Sequence, residues 1–150
     1  MAKVGKCLLS ATVSTFVLSV IFVMKAAMGL MPELDMPKMI AGMMGAPDQP
    51  ALGWAAHLMI GVVGYGLSFA VLVDRLPAQN RVAQGMALGF GGWVMMMVAL
   101  MPMAGAGLFG LALGVMAPMA TLMLHLVFGA ILGGTYRLLE GHGGIPARAS

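Results

Sequence analysis

His57 and His125 are the residues whose type and setting point most directly to chemistry. The first opens His57-Leu58-Met59-Ile60-Gly61 and the second opens His125-Leu126-Val127-Phe128-Gly129. Imidazole ligates metals and titrates near neutral pH. Both histidines lie in apolar segments, where an ionisable side chain is costly and marks a candidate functional position. A matched pair could ligate one copper ion or take both axial positions of a haem b, with glycine four residues on leaving room for the macrocycle. Thioether sulfur suits Cu(I), and the chain has 18 methionines in 150 residues. Met59 and Met123 therefore join His57 and His125 as candidate metal ligands. The competing readings are a neutral histidine bonded to a neighbouring helix, proton transfer, and methionine as a flexible filler of apolar gaps.

Glycines accompany the histidines at helical spacing. Gly61 follows His57, Gly129 and Gly133 follow His125, and Gly85-x-x-x-Gly89 stands apart from both. Four-residue spacing keeps them on one helix face, and small residues there let helix backbones approach closely. Helix packing is the role expected of Gly61, Gly85, Gly89, Gly129 and Gly133. Lys25 is expected to snorkel to the interface or to pair with Glu33 or Asp35.

The elements that must position these residues are membrane spans. Residues 82–136 carry no Asp, Glu, Lys or Arg, enough for two helices of about 20 residues and an apolar connector. Composition agrees, with 61% hydrophobic and 9% charged residues against roughly 25% charged in soluble domains. The spacing predicts spans over Cys7–Leu30, Leu52–Val73, Val82–Met101 and Met119–Leu139, with Met31-Pro32 and Met101-Pro102 as breaks. The first apolar run is too long for a signal-peptide core and reads as a retained helix. Cys7 is the only cysteine, so neither an internal disulfide nor a thiolate cluster forms within one chain.

Lys3, Lys6, Arg75, Arg81, Arg137 and Arg148 fall in the two tails and the 74–81 loop, which share one side of a four-span protein. The positive-inside rule puts that side, and both termini, in the cytoplasm of an inner-membrane protein. The 31–52 connector is apolar enough around residues 36–44 for a short interfacial helix. The 103–118 connector has no charge and is expected to pack on the bundle.

His-Leu-x-x-Gly recurs, and Leu30-Met31-Pro32 has a counterpart in Leu100-Met101-Pro102 in the same order along the chain. A duplicated two-span unit explains both, with halves of about 1–75 and 76–150 related as parallel repeats. Duplication would place His57 and His125 at equal depth, facing one another near the outer leaflet. In layout, and in His57, Leu58, Gly61, His125, Leu126, Gly129 and Gly133, the chain resembles small, largely uncharacterised bacterial four-span inner-membrane proteins. That resemblance implies no activity.

The reading is one all-α transmembrane domain over 1–150, a four-helix bundle with short apolar outer-side connectors. No phosphate-binding glycine loop, Ser-His-Asp arrangement, His-Glu-x-x-His or intramembrane carboxylate argues for catalysis or a carboxylate-driven pump. The basic residues flank apolar spans, so nucleic acid is not an expected partner. A non-enzymatic accessory or assembly subunit comes first, binding other membrane proteins or itself in the bilayer. Haem b or Cu(I) binding at His57 and His125 is the alternative. A small transporter is third, with only Gln84, Ser68 and Thr121 to line a path.

Overall fold

A computed structural model describes residues 2–76, 78 and 80–141. The chain is all-helical, and four helices are long and apolar enough to cross a membrane. These are α1 (Lys3–Ala27), α3 (Pro50–Leu72), α4 (Arg81–Met103) and α5 (Met116–Gly141), with α2 (Met36–Met43) between the first two.

Local chemistry sets the ends. Helix α1 stops at Ala27 rather than Leu30 because Gly29 turns left-handed (φ 64°) and the Leu30 amide reaches back to the Lys25 carbonyl at 3.1 Å. This closure acts before Pro32 does. Within α1 the hydroxyls of Ser10, Ser14, Thr15 and Ser19 each donate to the carbonyl one turn earlier, at 2.7–2.9 Å. The polar residues of an otherwise apolar helix are thus satisfied without water. Asp35 caps α2 by accepting from the Lys38 amide, giving the short helix expected in the 31–52 connector. Pro50 begins α3, and the Asn80 side chain caps α4 by accepting from the Ala83 amide.

Both α3 and α4 contain a π turn, over Ile60–Gly64 and Met96–Leu100. The second explains why α4 runs past the expected stop at Met101-Pro102. A helical proline clashes with the carbonyl four residues back, and the widened turn moves that carbonyl aside. Similarly α5 starts at Met116, before Pro118, because a first-turn residue needs no amide donor. Between them a 3-10 helix, Leu108–Leu113, is broken by left-handed Phe109 and Gly110. This connector lies against the bundle: Ala106, Gly110 and Ala117 are buried, although Leu108, Leu111 and Val115 stay exposed.

The membrane helices form a ring in the order α3, α1, α5, α4, in extended contact at three of its four junctions. Glycine governs two of these. A Cβ at Gly61 would strike the Thr15 side chain, and one at Gly66 would meet Leu8 and Ala11, so α3 lies tight on α1. A Cβ at Gly85 would strike the Gly129 carbonyl, one at Gly89 the His125 carbonyl, and one at Gly133 the Arg81 carbonyl. Helices α4 and α5 therefore touch backbone to backbone. The α1–α5 junction is filled by Cys7, Ala11, Phe128, Leu132 and Tyr136. Helices α3 and α4 lack such a junction, and the Tyr65 hydroxyl resting on Gly92 spans the gap between them.

Charges collect at the end that carries the amino terminus. Lys3 pairs with Asp74, and this bond first of all, then the Arg81 charge, holds the Asp74 carboxyl below the usual carboxylate range. Arg81 makes a two-pronged contact with Glu140, Nε to Oε2 at 2.8 Å and Nη2 to Oε1 at 2.9 Å. It also donates to Gln84 Oε1 at 3.0 Å and lies over the Tyr136 ring. Apolar side chains such as Phe16, Val71 and Phe90 are exposed on the outside, as a lipid-facing surface requires. Arg148 lies outside the described residues.

Candidate functional site

The gap between α3 and α4 is a cavity of about 580 Å³. Helix α3 contributes a stripe at three- and four-residue spacing, His57, Ile60, Gly61, Gly64, Tyr65, Ser68 and Leu72. Helix α4 answers with Leu88, Gly91, Gly92, Met95, Met96 and Leu100. Such spacing is what one helix face presents, so the two stripes are facing walls. The back wall is α1 with Thr15, Leu18, Phe22 and Lys25, and α5 with Thr121, Leu124, His125 and Phe128. From His57 to Leu72 the lumen runs about 22 Å along the helix axis.

Both sequence-selected histidines line this one cavity, and each is held by a different neighbour. His125 Nδ1 lies 2.8 Å from the Thr121 carbonyl. A carbonyl only accepts, so Nδ1 carries the proton and Nε2 keeps a bare lone pair. Thr121 is fixed in turn, its hydroxyl donating to Ala117 at 2.7 Å and receiving the Trp93 indole N–H at 3.2 Å. His57 Nε2 stands 3.3 Å from Ser19 Oγ. Ser19 already donates to Thr15, so it accepts from His57, and His57 Nδ1 is the bare nitrogen. The His57 ring packs on Phe22 and stands edge-on to Trp54, with centroids 5.2 and 5.7 Å away.

The methionines divide differently from the sequence expectation. Met59 and Met123 are 61% and 63% exposed and are not among the cavity-lining residues. They point away because two residues along a helix is about 200° around it. Met36, Met95 and Met96 reach the lumen instead, and Met96 falls one turn after Gly92, the periodicity by which it could have been found. Among the described residues no three His, Cys, Asp or Glu side chains come together as a metal site. The pairing expected of Lys25 with Glu33 or Asp35 is also corrected. Its ammonium donates to the carbonyls of Leu30, Met31 and Leu34 at 3.0, 2.8 and 2.8 Å. The early end of α1 folds those carbonyls back over it, and all three protons are used.

Sequence reading missed Tyr65 and weighed Ser68 only as a transport-path residue. Both line the lumen, and neither hydroxyl has a hydrogen-bond partner among the described residues. The Tyr65 ring is fixed against Phe128, centroids 4.8 Å apart, which leaves its hydroxyl directed at Gly92.

Comparison with known proteins places the chain without giving it an activity. Residues 1–146 match the family described as "Family of unknown function (DUF6789)", and the chain belongs to that family. No curated protein and no solved structure matches it.

Proposed function

We propose, for a member of a family with no assigned activity, a non-enzymatic multi-pass protein of the cell inner membrane that holds an apolar molecule inside its bundle. In this reading both termini are cytoplasmic, and the protein serves as an accessory or assembly subunit for other membrane proteins or for a second copy. The observation that carries it is the cavity walled by all four membrane helices. The α3–α4 side of this space is open, so in a bilayer an apolar molecule can enter and fill it. Protein purified in mild detergent is expected to carry about one small apolar molecule per chain by native mass spectrometry. Bare protein, together with Gly64→Leu raising stability and altering nothing else, would count the cavity as a packing defect.

A duplicated unit supports the bundle's construction. Ser19–His57 and Thr15–Gly61 in the first hairpin correspond in register to Gly89–His125 and Gly85–Gly129 in the second, and Ala11–Gly66 and Arg81–Gly133 follow one residue out of step.

Haem b or Cu(I) binding is the second reading, and one observation favours it. A metal-binding imidazole typically donates its other N–H to a carbonyl or carboxylate, as His125 does to Thr121. A Soret band or stoichiometric copper, lost in His57→Ala and in His125→Ala, is the expected signature. Its absence from protein expressed with haem and copper in supply would dispose of this reading. The transporter reading has little to support a polar path, since Gln84 is engaged by Arg81 and Thr121 by its own helix.

A further inference from the structure

We propose that the cavity binds a neutral, elongated lipophile with a flat carbonyl-bearing head, an isoprenoid quinone by its chemistry, which enters sideways from the bilayer between α3 and α4. The inference deepens the ligand-binding reading above and rests on it.

Entry follows from the ring. Three junctions are closed by glycine contacts or by core side chains, and the fourth, α3 to α4, is not. If the two hairpins are parallel repeats, the twofold mate of the closed α1–α5 junction is this open one. The departure from symmetry therefore falls where the cavity is. Both π turns, Ile60–Gly64 and Met96–Leu100, lie in the two helices that border the opening. Turns of this kind recur at functional sites, while α1 and α5 run as unbroken α-helices.

The occupant's shape follows from the lumen. It is elongated, running about 22 Å between the facing stripes of α3 and α4, and so suits an elongated molecule. At the level of Tyr65 the facing walls include Gly64 and Gly91, beside which a built Cβ would find open space or only ordinary contact, room that a flat ring can take.

The head's chemistry follows from the groups left over. Lys25 is the sole Lys, Arg, Asp or Glu in the lining, and its ammonium is saturated by three carbonyls. An anionic head would meet no open cation. The Tyr65 and Ser68 hydroxyls are two donors without protein partners among the described residues, open to a bound head. A quinone takes hydrogen bonds from these two hydroxyls, one turn apart on α3, through a carbonyl oxygen, while the bare nitrogen of His57, about 16 Å from Ser68 along the helix, lies beyond the reach of the same head.

The test is equilibrium binding of decylubiquinone to the full chain in lipid nanodiscs, read by quenching of Trp54 and Trp93, with palmitate and dodecane as probes of the head. Saturable binding at about one per chain, at least tenfold tighter than either control, is the expected result. Tyr65→Phe with Ser68→Ala should weaken decylubiquinone about tenfold and leave dodecane unchanged. Gly91→Leu should abolish binding of all three. Residue 91 has nothing within 4 Å of a built Cβ, and leucine favours helix over glycine, so an unchanged or raised melting midpoint certifies its fold. Decylubiquinone binding no tighter than palmitate, or indifferent to the double substitution, would overturn the head assignment and leave the cavity an apolar site. If Gly91→Leu affects none of the three probes, the ligand-binding reading falls as well.

Discussion

Arg81 shows how much one side chain at a helix start can join. Its fork on Glu140 links the first residue of α4 to the last turn of α5. Lysine keeps the charge but lacks the planar fork, so Arg81→Lys should lower stability by about 1 kcal/mol, a figure kept small because the pair is partly solvated. Chemical denaturation in detergent measures it, and a midpoint equal to wild type would remove the fork from the account. Asp74 makes a pH-dependent tie to Lys3. Its carboxyl is held below the usual range, so the tie is complete above ordinary carboxylate titration and is lost as pH falls through the lowered value. A nitroxide at Val4 should gain mobility on that acidification, and at neutral pH in Asp74→Asn; mobility constant across both would refute the link. Among site residues, His57 and His125 were legible because histidine is rare in lipid. Tyr65 and Ser68 were not, because their interest lies in lacking partners, which only three-dimensional packing reveals. For Lys25 only the carboxylate pairing failed, for a related reason, since its carbonyl partners belong to a turn that the residue types did not mark.

At the level of elements, the glycine-lined junctions are the most exacting parts of the molecule. Gly129→Leu would drive a side chain into the Gly85 carbonyl, and overpacking of this kind costs about 1–3 kcal/mol or more. The α4–α5 hairpin should separate, read as loss of a disulfide engineered across the α4–α5 junction in a Cys7→Ser background; undiminished crosslinking would show that the junction tolerates bulk. In the 103–118 connector, Ala106 is 4% exposed. Ala106→Cys should therefore react with a water-soluble maleimide far more slowly than Asp48→Cys, and equal rates would mean the connector is solvated. The number of spans was legible from the charge-free stretches, and both connectors were placed by their apolar composition. The ends were displaced for identifiable reasons. Gly29 ended α1 early by turning left-handed, and a π turn let α4 pass Pro102, a rearrangement of hydrogen bonds that residue types do not announce.

For the whole molecule, the distribution of basic residues and the ring of helices bear on different questions. Charge predicts that both tails face the cytoplasm, and a green fluorescent protein fused after Ser150 should fluoresce; alkaline phosphatase activity at that site instead would invert the topology. The ring order was beyond the sequence, because a face rich in glycine does not say which neighbour it will meet. Gly61 and Gly129 could each have served any junction. That one junction of the ring is left open has a mechanical consequence. The area that this protein occupies in the plane of the membrane is not fixed by its own packing, since the α1–α5 junction can act as a spine about which the hairpins swing. Lateral pressure in the acyl region then performs work on the opening, favouring a narrow ring in tightly compressed bilayers and a wide one under tension. Spin labels at Gly64 and Gly91 should report a separation that follows membrane tension, and a separation indifferent to it would make the ring rigid.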